Sequence, residues 1–267
     1  MPFTLGRRAL SAGYRVQAFD QIGSTNVEAM AQARGGECGP VWFVTTQQTA
    51  GRGRRHRPWI TPRGNLASSI LEVMDVAPAV AATLGFAAGL ALHAALRQVS
   101  LEAALRSGTA LNFALKWPND VLAEGKKICG ILLEAESVRA GLAVVPGLGT
   151  NVVAFPEGTP TPATSLSALG VQVSAEELFL ALSEAWVECR GIWDNGRGFG
   201  DIRKLWLARA AGLGQAVAVT SGGSTIEGIF DTIDEQGCMI IQTPTGKRMP
   251  VSAGDVYFGS AASRGTN

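Results

Sequence analysis

The chain has 267 residues, enough for one large domain and a small one, and its 23 lysines and arginines nearly balance 22 acids, for a formal net charge of +1. That balance argues against general nucleic-acid binding, which needs a broad positive surface. The apolar fraction is 46%, yet no run reaches the roughly 18 residues of a membrane span. Ala77–Leu96 comes closest, but it contains Pro78, two glycines and His93 and reads as a buried helix. Cys38, Cys129, Cys189 and Cys238 are far apart, match no metal spacing and suit a reducing compartment. Gly6-Arg7-Arg8 is not followed by the sustained apolar block of a signal peptide, so a cytoplasmic location and no membrane association are expected.

In chain order, a short lead ends in a predicted strand, Tyr14–Phe19. Residues 23–28, Gly-Ser-Thr-Asn-Val-Glu, predict a helix start with Thr25 as N-cap and Glu28 closing a capping box. The helix runs to about Arg34 and stops at Gly35-Gly36. Asp20, Ser24, Thr25 and Asn26 crowd its N-terminus, which serves capping alone or capping together with a polar ligand. Val41–Thr46 predicts a strand, followed by a long polar loop, a turn at Pro62–Gly64 and a buried strand over Asn65–Val73. Helices are predicted over about Pro78–Arg97 and Leu101–Ser107, with His93 as a partly buried packing residue. Phe113–Trp117 reads as a strand entering the turn signal Pro118-Asn119-Asp120, and Ile128–Glu136 pairs with Leu142–Leu148 as a hairpin. Short turns join consecutive strands, which predicts an α+β architecture with a mainly antiparallel sheet rather than a βαβ repeat.

Pro156–Pro162 is a proline- and threonine-rich loop. Ser174 and Glu177 form a second capping box at the head of a helix reaching about Trp193, and a further helix over about Ile202–Ala211 ends at Gly212. The texture then changes. Ala216–Thr220, Thr225–Ile233, Cys238–Gln242, Lys247–Val251 and Asp255–Phe258 are short strands separated by turns, which predicts a small β-barrel. The expected division is 1–212 and 213–267, the latter ending in a polar tail.

The polar loop carries the strongest signal. In residues 47–59 four arginines (Arg52, Arg54, Arg55, Arg57) lie within six positions, interleaved with Gly51 and Gly53 and followed by Trp59. Glycine lets the backbone approach a ligand, and guanidinium forks suit carboxylate and phosphate oxygens. Predicted strands hold both ends, as in a mobile cover over a site. A solvated basic loop or an arginine-rich nucleic-acid patch is the blander reading. Three segments complete a candidate site. Lys116-Trp117-Pro118-Asn119-Asp120 puts a lysine at a strand end, although a surface ion pair would explain it as well. Lys127 heads a strand that contains Gly130. Gly147 and Gly149 alternate on a strand ending at Asn151, leaving one face bare for a flat ligand. No dinucleotide fingerprint, Walker motif or catalytic triad is present.

Together these segments resemble bacterial biotin protein ligases. Gly-Ser-Thr-Asn (23–26), Gln-Thr-Ala-Gly-Arg-Gly-Arg-Arg (48–55), Lys-Trp-Pro-Asn-Asp (116–120), Lys-Ile-Cys-Gly-Ile-Leu-Leu-Glu (127–134) and Gly-Leu-Gly-Thr-Asn (147–151) occur in that family's order. The resemblance implies a catalytic domain related to class II aminoacyl-tRNA synthetases and an SH3-like barrel behind it. It implies ATP-dependent formation of biotinyl-5'-AMP and transfer of biotin to a lysine of a biotin carboxyl carrier protein, with Mg²⁺ accompanying ATP and no metal ligands identified. Acetyl-CoA carboxylase and other biotin-dependent carboxylases are the implied acceptors. Carried over position by position, Lys116 and Arg54 would be catalytic. Ser24, Thr25, Asn26, Gln48, Gly51, Arg52, Gly53, Arg54, Lys116, Gly130, Gly147 and Gly149 would bind biotin. Arg54, Arg55, Trp59, Asn119 and Asn151 would bind the nucleotide. His56 departs from the family by standing where glycine is common. The 13 residues before the first strand leave no room for the helix-turn-helix of repressor-type members, so no DNA binding is expected. A lipoate–protein ligase shares the two-step logic and is the nearest alternative; a nucleic-acid-binding module is more distant. The sequence leaves a homodimer open.

Overall fold

The computed structural model describes residues 2–159 and 161–259. In chain order the elements are α1 (Arg7–Ser11), β1 (Arg15–Phe19), α2 (Thr25–Arg34), β2 (Val41–Thr45), β3 (Leu66–Met74), α3 (Pro78–Ala82), α4 (Leu84–Val99), α5 (Leu101–Ser107), β4 (Phe113–Lys116), β5 (Asp120–Ala123), β6 (Lys126–Val138) and β7 (Gly141–Thr150). They continue with α6 (Ala175–Trp193), α7 (Phe199–Leu207), β8 (Ala216–Ser221), β9 (Ser224–Ile233), β10 (Met239–Gln242), β11 (Arg248–Val251) and β12 (Asp255–Phe258).

Two sheets organise the chain. The first has seven strands in the order β1-β2-β3-β7-β6-β5-β4, and only its β1–β2 ladder is parallel. The α+β reading with a mainly antiparallel sheet therefore holds. The second has five strands in the order β11-β10-β9-β8-β12, so its ladder has two ends and is not closed by strand pairing. Residues 260–267, the expected polar tail, lie outside the described residues.

Alternation along the strands gives the first sheet two buried faces. Trp42, Val44, Ile70 and Val144 point into the main core with α4 and α6. Val41, Phe43, Leu71, Ala143 and Val145 point the other way, under Ala29, Met30 and Ala33 of α2. Since α2 is short, it covers that second face only partway. Beyond its N-terminus the sheet continues as Gly147 and Gly149 of β7 and Gly130 of β6, whose register pairs Gly130 with Gly149. A shallow floor without side chains is left at the end of the helix.

Local chemistry corrects several expectations. The N-cap of α2 is Ser24, whose hydroxyl accepts from the Val27 N–H, and not Thr25. Glu28 instead accepts from Gln32 on the same helix. The Ser174–Glu177 capping box forms as expected. Arg7–Ser11 and Asp120–Ala123 are a helix and a strand where no element was predicted; α1 is held by the distant α6, and the four-residue β5 by its neighbours β4 and β6. The helix expected from Pro78 divides at Thr83, whose hydroxyl donates to the Val80 carbonyl. Pro78–Val99 is apolar and long enough to cross a membrane by composition, yet 72% of its most apolar stretch is buried against the rest of the protein.

His93, on the core side of α4, is 4% exposed with Nε2 3.1 Å from the Phe113 carbonyl oxygen. Burial pushes its pKa from the ordinary 6.5 down to about 4. The unfolded chain therefore takes up this proton first, and stability is lost as pH falls from 6.5 toward 4. The expected loss from this residue is about 3 kcal/mol. Urea unfolding of wild type and His93→Gln at pH 7 and pH 4.5 measures it; equal losses in both proteins would remove His93 as the cause.

Candidate active site

A cavity of about 430 Å³ opens over the glycine floor. The N-terminus of α2, the arginine loop, the β4–β5 turn, the loop after β7 and the start of β12 form its walls. Thus segments separated by more than 200 residues converge on one space, the last of them, at the start of β12, lying outside the sequence motifs.

The α2 wall is a hydrogen-bonded network. The Thr25 N–H donates to Gln48 Oε1 at 2.8 Å, and the Thr25 hydroxyl lies 3.2 Å from the same oxygen. Gln48 Nε2 donates to the Thr61 hydroxyl at 3.3 Å. The Ser69 hydroxyl, on β3, donates to Asn26 Oδ1 at 2.5 Å. Asn26 Nδ2 donates to Glu134 Oε2 at 2.8 Å, and Glu134 in turn lies 3.7 Å from Arg52. Each polar side chain is oriented by a neighbour, so the wall presents a fixed pattern of donors and acceptors.

Over the floor, a methyl group at Gly147 would overlap Asn26 Oδ1, and one at Gly149 would overlap the Trp59 indole. At Gly130 it would come within 3.0 Å of the same indole. The glycines thus admit Asn26 and Trp59 to the sheet; the bare face expected for a flat ligand carries the Trp59 ring here. Lys127 Nζ sits 5.5 Å from that ring's centroid and forms a 2.7 Å ion pair with Asp120.

The loop arginines divide by partner. Arg55 and Arg57 both donate to Asp255 Oδ2, at 2.8 and 2.9 Å. Arg54 donates to neutral oxygens, Asn119 Oδ1 at 2.8 Å and the Gly254 carbonyl at 3.2 Å. Burial pulls the Arg54 pKa down, opposed by the more distant Asp255 and Asp120. Lys116, 7% exposed, likewise donates to a neutral group, the Thr161 hydroxyl at 3.1 Å, with its ammonium 5.5 Å from the Phe258 ring centroid. Burial again depresses its pKa, offset in part by Asp120. Two partly desolvated cations bonded to neutral oxygens in one cavity have strong affinity for an entering anion. At the far end, Asn151 is 2% exposed; its Nδ2 donates to the Thr164 carbonyl, while its Oδ1 is buried without a partner. That oxygen is an acceptor suited to an amine of a ligand.

Of the residues proposed from sequence, Ser24, Thr25, Asn26, Gln48, Arg52, Gly53, Arg54, Trp59, Lys116, Asn119, Gly130, Gly147, Gly149 and Asn151 line this cavity. Gly51 and Arg55 do not line it. Gly51 is buried against the Trp59 carbonyl and Gln48, and Arg55 turns to Asp255. Asn119 lines the wall, but its amide is engaged by Arg54 and the Ile131 carbonyl, so it positions Arg54. Ser69, Thr61, Thr161, Lys127, Asp120, Glu134 and Asp255 were not assigned from sequence. Lys127, Asp120 and Glu134 sit inside the recognised motifs; the others had no local signal. His56 has φ 58 and Arg55 φ 55, left-handed conformations that glycine takes without strain, which fits the family's glycine at position 56.

Residues 38–151 match the biotin/lipoate A/B protein ligase family, and residues 212–259 match the biotin protein ligase C-terminal domain. A biotin–[acetyl-CoA-carboxylase] ligase of Paracoccus denitrificans is 38% identical over 243 residues, 88% of this chain and 97% of that protein. A protein of the same description from Mycobacterium tuberculosis is 36% identical over 88% of this chain and 86% of its own length. The fold is similar to a biotin protein ligase from Aquifex aeolicus, solved in complex with biotin and ATP, with a TM-score of 0.74 and 22% identity over 92% of this chain and 99% of that one. On the identity and coverage of the first two relatives, the chain belongs to the biotin protein ligase family.

Proposed function

We propose that the protein is an ATP-dependent biotin–[biotin carboxyl carrier protein] ligase, with residues 1–212 as the catalytic unit and 213–267 as a second domain. The observation that carries this is the pair of cations, Lys116 and Arg54, which converge on the cavity with only neutral oxygens as hydrogen-bond partners. In the first step a biotin carboxylate oxygen attacks the α-phosphorus of ATP; an acyl–phosphate bond forms and pyrophosphate leaves with the electrons of the broken P–O bond. A carboxylate and a triphosphate repel each other, so fixed positive charge is needed where the phosphorus gains negative charge. In the second step a lysine amine of the carrier attacks the acyl carbon, AMP leaves and the amine's proton is lost.

The α2 network suits the ureido ring of biotin, and the Trp59 ring, lying over the glycine floor, offers a face to the nucleotide's base. Asn151 Oδ1 accepts from the adenine amine. Among the described residues no three His, Cys, Asp or Glu side chains gather as a metal cage. Asp120 is held by Lys127, and Glu134 by Asn26. Mg²⁺ would accompany ATP and supply charge neutralisation at its phosphates. The carrier is that of acetyl-CoA carboxylase, as the relatives' names indicate, and the reaction belongs in the cytoplasm, where ATP and the carboxylase meet.

The test is pyrophosphate release with biotin and ATP, followed by avidin detection of the carrier. Release with lipoate instead of biotin would assign the chain to lipoate ligation. Gly147→Ala, which pushes on Asn26, is expected to weaken biotin binding about tenfold or more, in line with roughly 1–3 kcal/mol for overpacking. Unchanged affinity by calorimetry would take biotin off this part of the floor.

A further inference from the structure

We propose that Asp255 is a positioning residue that latches the arginine loop shut from the second sheet, so that the C-terminal unit governs how long the reactive intermediate is retained. The inference deepens the acyl-adenylate reading and rests on it. Asp255 opens β12, which among the described residues is an edge strand of the second sheet, paired with β8. From this edge Asp255 Oδ2 accepts from both Arg55 and Arg57, and the preceding Gly254 carbonyl accepts from Arg54. Three arginines of the loop are thus tied to two adjacent residues about 200 positions away.

Trp59 and Gln48 anchor the two ends of the loop, while at its tip the other side-chain holds are Arg54 on Asn119 and the looser approach of Arg52 to Glu134. The loop's 3-10 turn, Arg54–His56, contains no buried residue, and Arg55 and His56 both occupy the left-handed region. Such a conformation in two consecutive non-glycine residues persists only where surrounding contacts impose it. Four arginines within six positions also repel one another, and a single carboxylate shared by two of them relieves that repulsion where the loop folds inward. Both ion pairs are substantially exposed, with Arg55 and Arg57 44% and 62% accessible. Exposed pairs contribute little to global stability and are screened by salt. They can still bias a local open–closed balance, which needs only a small difference. A latch of this kind holds during synthesis and releases easily for the carrier's lysine.

The variants are Asp255→Asn, which keeps shape and removes charge, and Asp255→Glu, which keeps charge. The first readout needs no substrate. Trypsin cleaves after arginine, so its rate of cutting within residues 52–57, mapped by mass spectrometry, reports opening of the loop. At about 50 mM salt Asp255→Asn is expected to be cut about three- to tenfold faster than wild type, and Asp255→Glu nearly as slowly as wild type. Near 500 mM salt wild type should approach Asp255→Asn, whose own rate changes little. The second readout is escape of biotinyl-adenylate per adenylate made, which should rise by a similar factor in Asp255→Asn. Equal loop cleavage and equal escape in Asp255→Asn and wild type would overturn the latch, as would a loss of synthesis with a lowered melting temperature and no added escape. If wild type makes no biotinyl-adenylate, the ligase reading fails, while the trypsin arm still decides the latch.

Discussion

Lys116→Ala should lower the rate of adenylate formation about a hundred- to thousandfold while leaving biotin binding measurable. The magnitude is that of removing one group aimed at developing charge, roughly 2.7–4 kcal/mol. Lys116 is buried, bonded to the Thr161 hydroxyl, with its pKa drawn down by burial. In the proposed mechanism the ammonium gains most as negative charge builds around the attacked phosphorus, so its contribution should be larger in the transition state than with bound substrate. Stability provides an independent check. A buried ammonium held by a hydroxyl and an aromatic ring, with its neighbouring acids not in direct contact, is costly in the unliganded protein. Lys116→Ala should therefore unfold at no lower temperature than wild type without ligand, although it is far less active. A depressed pKa also means that the ammonium loses its proton below the ordinary lysine value of 10.5, so adenylation by wild type should decline earlier on the alkaline side than an exposed lysine would allow. Single-turnover pyrophosphate release decides the point. Near-normal release by Lys116→Ala would move the role elsewhere, with Lys127, 2.7 Å from Asp120 in the same cavity, as the next cation to test.

The sequence exposed what is local and hid what is long-range. Helix α6 was legible because Ser174, Glu177 and an apolar stripe act within one helix. Most of the cavity was legible through the five ordered motifs that carry the family resemblance; taken alone, the glycines and loop arginines left a solvated basic loop equally open. The N-cap of α2 was misread by one position, because Ser24, Thr25 and Asn26 are all good caps and the choice is made by Gln48 and Ser69, distant in sequence. Strand β5 was missed because four residues carry no periodicity of their own; β4 and β6 on either side create it. The role of Asp255 could not be read at all. An acid after a glycine in a short strand looks like turn chemistry until folding brings it to Arg55 and Arg57. Arg55 itself was assigned to the nucleotide because nothing in a run of arginines tells which guanidinium faces the ligand and which faces a partner.

Arg54→Gly should turn the protein into a source of free biotinyl-adenylate. Of the four loop arginines, Arg54 is the one tied into the cavity wall through Asn119 and to the Gly254 carbonyl, leaving its charge without a directly bonded acid. The substitution would remove the charge-assisted contact proposed for the adenylate and adds a third glycine near Gly51 and Gly53, loosening the cover. Synthesis should survive in part, since Lys116 and Lys127 remain. Retention should suffer more: a lost contact to a charged group is worth about 1.5–3 kcal/mol, or roughly ten- to hundredfold faster escape. The released mixed anhydride acylates any accessible amine, so bystander proteins such as albumin should become biotinylated. The effect should differ from that of Asp255→Asn in size and in salt response, because in the proposed mechanism Arg54 touches the intermediate whereas Asp255 touches the loop. An avidin blot of wild type and Arg54→Gly with biotin, ATP and albumin, without the carrier, reads the outcome. If adenylate synthesis is confirmed in the variant and albumin labelling is as low as with wild type, Arg54 does not hold the intermediate, and retention must be assigned to the rest of the cover.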